Sequence, residues 1–331
     1  MKRIFFILLI SLFSLLLYTG CSNQGDEKIV LRFAYASNSQ PVKDAMAKFG
    51  ELLSEKTNGE VTVDYFPDSQ LGGERELVEL TQTGAVDLTK VSGSALESFS
   101  EKYSIFGLPY LFDDKTHFYN VMDSDIVQPI YNSTEKLGFV GLTYYDSGQR
   151  SFYTTNKPIE KPSDLKGMKI RVMQSQTAIK MVQLLGGSPT PMDSGEVYTS
   201  LQQGILDGAE NNEFALTEAG HAEVTKYYSY DEHTRVPDIL IINKETLDRL
   251  TEDQRQAVYE AAKESTEFEK VVFQKAIDEA REKSEKEFGV VFNQVDKKPF
   301  QEAVQPLHEE FKNKDGLKEI YEEIVNMKEN K

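Results

Sequence analysis

Hydrophobic positions alternate at Met168, Ile170 and Val172, with Lys169 and Arg171 between them, and this period of two predicts a strand over 168–172. Ser175 stands where an N-cap belongs, and Ala178, Met181, Val182 and Leu185 follow at helical spacing up to the pair Gly186-Gly187. Ser188-Pro189-Thr190-Pro191 reads as extended, because a residue before proline is pushed out of the helical region. Asp193 and Glu196 form a capping-box pattern before a second apolar stripe, Val197, Leu201 and Ile205, with Gly204 as its stop. A strand over 205–209 closes the unit and ends in Glu210-Asn211-Asn212. The order strand, helix, strand, helix, strand is that of an open α/β sheet. Ligands of such sheets sit beyond the carboxyl ends of the strands, toward which Arg171 and Asn211 fall.

The same order is predicted nearer the N-terminus: strand 29–36, helix 42–57 closed by Gly59, strand 61–65, loop 68–73, helix 74–83 and strand 86–91. The apolar run Phe106-Gly107-Leu108-Pro109-Tyr110-Leu111-Phe112 reads as core or inter-domain packing. Strands follow over 138–145 and 151–155, with a crossing to a second domain near Asp146 and a return through 227–231 and 236–243. Two crossings make the domains discontinuous, which suits a hinge. Thr251-Glu252-Asp253-Gln254 is a capping box that starts a long helix running to about Phe288 and stopped by Gly289. A strand over 290–295 and two closing helices finish the chain. The fold class is thus α/β, with two α/β domains of the periplasmic-binding-protein kind joined by hinge strands and a long spanning helix. The boundaries are 29–146 with 232–288 for domain I and the spanning helix, 147–231 for domain II, and 289–331 for the closing elements.

The N-terminus is of another kind. Lys2-Arg3 and the apolar stretch over 4–17 form a signal peptide too short to span a bilayer comfortably. Tyr18-Thr19-Gly20-Cys21 resembles a lipobox, except that Tyr18 stands where leucine is usual. Cys21 is the one cysteine in the chain, so 1–21 reads as a leader ending in a lipidation site and 22–28 as a polar tether to the outer face of the membrane. The net charge of −17 over 331 residues argues against nucleic acid as a partner. One cysteine and four scattered histidines leave no metal-binding or nucleophile motif, and no cofactor is implied. His117, His221 and His308 read as surface residues.

Several segments together resemble the DctP-type solute-binding proteins of TRAP transporters. They are Phe106-Gly107-Leu108-Pro109-Tyr110, 164–172 (DLKGMKIRV), Pro189-Thr190-Pro191-Met192, Gly195-Glu196-Val197-Tyr198, Leu201-Gln202-Gln203-Gly204 and Asp207-Gly208-Ala209-Glu210-Asn211. The resemblance implies a two-domain cleft that closes on an organic acid and delivers it to the membrane permease subunits. It implies that Arg171 binds the ligand carboxylate, that Arg150 assists, and that Asn211 bonds the carboxylate or a neighbouring hydroxyl. Where several relatives carry an aromatic before the GEVY-like segment, this chain has Ser194. The chemistry is consistent, since a guanidinium matches a planar carboxylate with two parallel hydrogen bonds. The alternative for Arg171 is an ordinary salt bridge.

Further cleft candidates follow the first-domain strands: Asn38, Gln70, Glu74, Lys90 and Ser92. Lys90 either reaches a ligand anion or snorkels to solvent, and Glu74 either faces the cleft or complements a helix dipole. His233, in the return crossing, is either a hinge residue or a hydroxyl contact. The segments 144–150 and 231–234 look most like relatives that take up uronates of the glucuronate or galacturonate type. A C4-dicarboxylate or aldonate binder and a ligand-presenting sensor subunit are the alternatives. An enzyme acting on sugar acids would need a positioned acid and base or a metal, and the motifs for these are missing.

Overall fold

The structure is a computed structural model that describes residues 28–36 and 39–329. The predicted leader and lipobox with Cys21, the tether up to residue 27, and Asn38 lie outside the described residues.

Two sheets carry the fold. The first has five strands in the order β2-β1-β3-β10-β4, formed by Ile29–Tyr35 (β1), Val61–Phe66 (β2), Leu88–Ser92 (β3), Phe139–Tyr145 (β4) and Asp238–Asn243 (β10). The second has six in the order β11-β9-β5-β8-β6-β7, formed by Arg150–Thr154 (β5), Lys169–Val172 (β6), Ser188–Pro191 (β7), Gly208–Asn211 (β8), Tyr227–Thr234 (β9) and Val291–Gln294 (β11). Within each sheet the predicted βαβ units supply parallel pairs, β1 with β2 and β3, and β6 with β7 and β8, and β11 adds one more with β9. The strands beside the crossings run antiparallel to their neighbours, β10 against β3 and β4, and β5 against β8 and β9.

Two short passages carry the chain between the sheets, at 146–149 and at 235–237, and the segment with the long helix Glu252–Phe288 makes a third crossing, from β10 to β11. An ion pair ties the two passages together, from Arg235 to Asp146. Tyr119 Oη also donates to Asp146, at 2.7 Å. β9 stays in the second sheet as far as Thr234, which pairs with Arg150, slightly beyond the predicted return point.

The long helix, Glu252–Phe288, has the predicted start and stop. Thr251 Oγ1 accepts from the Gln254 amide at 3.3 Å and Gln254 Oε1 accepts from the Thr251 amide at 3.1 Å, while Gly289 turns left-handed at φ 67°. Its 37 residues reach about 55 Å. The N-terminal part buries Ala257, Val258, Ala261 and Ala262 in the core of the first sheet. Further along, Phe273 packs edge-on against Phe214 of the second half at 5.5 Å. The helix therefore lies along both halves.

Among the described residues three helices, not two, close the chain: Lys298–Ala303, Gln305–Lys312 and Lys318–Glu329. Their Phe300, Leu307, Phe311 and Ile324 join Phe106, Leu108 and Leu111 in one apolar cluster that includes Ala34 of the first sheet and Ile170 of the second. This is the packing role expected for the 106–112 run. The cluster also explains why two histidines predicted at the surface are buried. His117 Nε2 lies 3.0 Å from Ile324 O, and His308 bonds Pro109 O at 2.7 Å and Tyr321 Oη at 3.1 Å. An imidazole with partners of this kind is buried without an orphaned polar group.

Candidate functional site

A cleft of about 580 Å³ opens between the two sheets, a size usual for small-ligand sites. The ends of β6 and β8 bring Arg171 and Asn211 to it, and the start of β5 brings Arg150. From the first sheet come Lys90 and Ser92 at the end of β3, and Glu74 at the start of the helix Glu74–Gln82. Six of the residues singled out in the sequence therefore share one cavity. Gln70 does not: it is exposed, between the lining residues Ser69 and Gly72. β8 lies close against β5 because residue 208 is glycine, where a Cβ would meet Tyr153 O at 2.5 Å.

The two arginines are in different electrostatic states. Arg150 is held by Glu210: Nε donates to Oε2 at 2.5 Å, and Nη2 donates to Oε1 at 3.0 Å and to the backbone oxygen at 2.6 Å. Its Nη1 donates to Asn211 Oδ1 at 2.7 Å. His233 lies behind this pair, outside the cleft lining, with Nε2 3.3 Å from Glu210 Oε2 and Nδ1 2.7 Å from Asp231 Oδ2. Burial opposes charge on His233, but Asp231, by charge and hydrogen bond, and Glu210 outweigh it and raise its pKa to about 9. Burial likewise opposes charge on Glu210, and Arg150 with His233 outweighs it and holds the carboxyl at about 2. Arg150, Glu210, His233 and Asp231 thus form a buried cluster of two cations and two anions. The sequence offered His233 as a hinge residue or a hydroxyl contact; the structure buries it among these charges, away from a ligand in the cleft.

Arg171 has no such direct partner. Its Nε and Nη2 both donate to Met192 O, at 3.0 and 2.8 Å. Among the described residues no carboxylate forms an ion pair with it, and Nη1 has no acceptor. Burial lowers its pKa against the pull of Glu210, with Arg150 adding to the lowering and Glu74 opposing it. Asn211 complements it. Its Oδ1 already accepts from Arg150 Nη1 and, at 2.9 Å, from the Asn212 amide, which leaves the Nδ2 donors without a protein acceptor among the described residues. This end of the cleft offers donors and positive charge to an anion.

The opposite wall offers acceptors. Lys90 does not snorkel: it is buried, with Nζ 2.9 Å from Asp238 Oδ2 and 3.9 Å from Glu74 Oε1. Glu74 Oε1 accepts from the Ser92 amide at 2.8 Å. Burial, with Asp238 nearby, raises the Glu74 pKa against the pull of Lys90. Asp193 was read as a helix cap, but its side chain makes no cap bond and lines the cleft, its carboxyl made less acidic by burial and by Glu76 and Glu196. Among the described residues no group of three side chains is placed to hold a metal ion.

The family model for DctP, bacterial extracellular solute-binding protein family 7, matches residues 33–315. The chain belongs to this family. It is an extracytoplasmic solute-binding protein of the TRAP type, a receptor rather than an enzyme. Among the relatives of this DctP protein is YiiZ, an uncharacterized protein of Salmonella typhimurium, 56% identical over 300 residues that cover 90% of this chain and 92% of YiiZ. A TRAP periplasmic solute-binding protein from Anaerococcus prevotii, solved with bound α/β D-glucuronate, superposes with a TM-score of 0.88 at 44% identity, covering 91% of this chain and 99% of that one. Another from Xanthobacter autotrophicus, solved with β-D-galacturonate, has a TM-score of 0.86 at 39% identity and covers 89% and 99%.

The halves of this DctP protein touch across the mouth of the cleft. Glu97, after β3, accepts from Ser175 Oγ at 2.5 Å and from Thr177 Oγ1 and N at 3.1 and 3.2 Å, at the start of the helix Gln176–Leu184. Glu218 accepts from the Gln40 amide at 3.0 Å. Sequence reasoning did not find Asp238, Glu97 or the cleft-lining His221. Asp238 comes beside Lys90 only through the register of β10 on β3, where it pairs with Ser92.

Proposed function

We propose that the cleft captures a hexuronate of the D-glucuronate or D-galacturonate type, pairing its carboxylate with Arg171 and Asn211 and its hydroxyls with Glu74, Lys90, Asp238 and Ser92. One observation carries this reading. Arg171 is a desolvated cation in the cleft that feels Glu210 and Glu74 from a distance but forms no direct ion pair with a carboxylate among the described residues. A ligand carboxylate supplies the missing charge, and the bound uronates of the related structures support the choice of sugar acid. Arg150 positions Asn211 and has most of its donors already occupied.

Binding proceeds by closure. The segments 29–146 and 232–288 act as one half and 147–231 as the other, hinged at the two passages between the sheets. Contacts such as Glu97 with Thr177 form only when the halves meet and supply the differential affinity that shifts the population to the closed state. The closed receptor then hands its ligand to the TRAP membrane permease. The leader and Cys21 support attachment of the receptor to the membrane surface by lipid, with 22–28 as its tether.

The test is a thermal-shift screen of the chain without its leader against hexuronates, aldonates and C4-dicarboxylates. A ligand bound only by the folded state raises Tm by mass action, with about 2.7 kcal/mol gained at a hundredfold excess over Kd. Hexuronates are expected to give the largest shift; a larger shift with a C4-dicarboxylate or an aldonate refutes the assignment. Replacement of Cys21 by Ser is expected to release the protein from the membrane fraction, and unchanged retention would refute the lipid anchor.

A further inference from the structure

The second sheet sets three residues side by side across its strands. Arg171 of β6 pairs with Ala209 of β8, and Ala209 pairs with Tyr153 of β5. In-register residues project from the same face of a sheet. Arg171 and Tyr153 therefore flank a residue no larger than alanine. His221, at the start of the short turn His221–Glu223, stacks on the Tyr153 ring with centroids 5.7 Å apart and planes 29° apart. Its Nδ1 lies 2.7 Å from Tyr153 Oη, and the residue lines the cleft. The sequence placed His221 at the surface; it is buried, because its ring covers the tyrosine and the tyrosine occupies one nitrogen.

The other nitrogen, Nε2, has no protein partner among the described residues. Its protonation follows from acid–base strength. A phenol is a stronger acid than a neutral imidazole N–H, and an imidazole nitrogen is a stronger base than a phenol oxygen. Tyr153 therefore donates to Nδ1, and the ring proton sits on Nε2. Burial and the nearby Arg171 cation push the imidazolium pKa down to about 4, so the ring is neutral at pH 7. It is an N–H donor beside the guanidinium.

We propose that His221 Nε2–H is a second hydrogen-bond donor to the ligand carboxylate, next to Arg171, with Tyr153 as the positioning residue that sets its tautomer. This rests on the reading of the cleft as a uronate site. The arrangement favours a carboxylate over an alcohol or aldehyde at that end of the ligand. A carboxylate offers two anionic oxygens, one for each of these donors, whereas an alcohol or aldehyde offers a single neutral oxygen and weaker bonds.

The experiment is calorimetric titration of D-glucuronate into the wild type, His221→Phe, His221→Gln and Tyr153→Phe, with the ligand-free Tm of each. Phenylalanine keeps the stacking and removes the donor, whereas glutamine places an amide N–H near the position of Nε2. His221→Phe is expected to weaken binding about 10- to 100-fold. His221→Gln should recover most of that loss, and Tyr153→Phe should fall between wild type and His221→Phe. Binding by His221→Phe within threefold of wild type overturns the proposal, as does His221→Gln binding no better than His221→Phe. If a variant does not fold, the wild type still decides: long-range proton–nitrogen NMR of His221 should show the Nε2–H tautomer and a shifted Nε2–H signal on ligand addition. An Nδ1–H tautomer or an unmoved signal overturns it. If wild-type protein ignores hexuronates, the uronate reading fails. His221 is then tested in the same way with whichever carboxylate in the panel raises Tm.

Discussion

Replacing Arg171 by alanine should separate binding from stability. In the wild type Arg171 uses Nε and one Nη2 hydrogen on Met192 O. Nη1 and the second Nη2 hydrogen remain, enough for two parallel bonds to a carboxylate. Hydrogen bonds to charged groups are worth about 1.5–3 kcal/mol each. Two of them amount to about 3–6 kcal/mol, a loss of roughly 10²- to 10⁴-fold in affinity. Lysine keeps the charge but has to choose between Met192 O and the ligand, so Arg171→Lys should lose about 10- to 100-fold. The ligand-free protein should not suffer in proportion. Arg171 is a desolvated cation without an ion-pair partner among the described residues, and removing such a charge relieves a penalty. Titration calorimetry gives Kd, and a thermal melt without ligand gives the stability. Unchanged Kd in Arg171→Ala, or a collapse of the ligand-free Tm with no separate binding defect, would refute the reasoning.

Arg150→Ala should behave in the opposite way, because it leaves Glu210 buried without its main partner; a loss of about 3–5 kcal/mol in the ligand-free protein is expected from denaturant melts. The same cluster sets a pH dependence. His233 has an ordinary pKa of 6.5 and a folded value of about 9, so its contribution is complete below 6.5 and is lost as pH rises through 9. Glu210, ordinarily 4.5 and about 2 when folded, contributes above 4.5 and loses that contribution as pH falls through 2. Tm should therefore fall between pH 6.5 and 9, and His233→Asn should flatten that limb; an equally steep limb in the variant would contradict the assignment. Glu97→Gln removes a charged acceptor from Ser175 and Thr177, and should speed ligand release about tenfold in stopped-flow measurements while leaving the association rate nearly unchanged.

Elements whose signals are local were legible in the chain. The capping box at Thr251, the left-handed stop at Gly289 and the alternation in β6 gave bounds within a residue or two of those observed. Arg171, Arg150 and Asn211 could be singled out because they stand at strand ends in a recognisable series of segments, and they do meet in one cleft. What stayed hidden depends on register and distant packing. Asp238 is only the first residue of an apolar strand until β10 aligns it with Ser92. His117 and His308 read as surface residues because the groups that bury them are distant in sequence; Ile324 O and Pro109 O, about two hundred positions away, bond their Nε2 atoms. The difference between the two arginines was equally invisible, since Glu210 is next to Asn211 in sequence but faces Arg150 only across the β5–β8 ladder.

The most direct test of the central claim is a crystal structure of the protein with D-glucuronate bound. The account predicts the sugar carboxylate on Arg171 Nη1, within hydrogen-bond distance of about 2.7–3.2 Å, with Asn211 Nδ2 on the same group or an adjacent hydroxyl and the sugar hydroxyls toward Glu74 and Asp238. A carboxylate held by Arg150 or Lys90 instead, with Arg171 still bonded only to Met192 O, would contradict it.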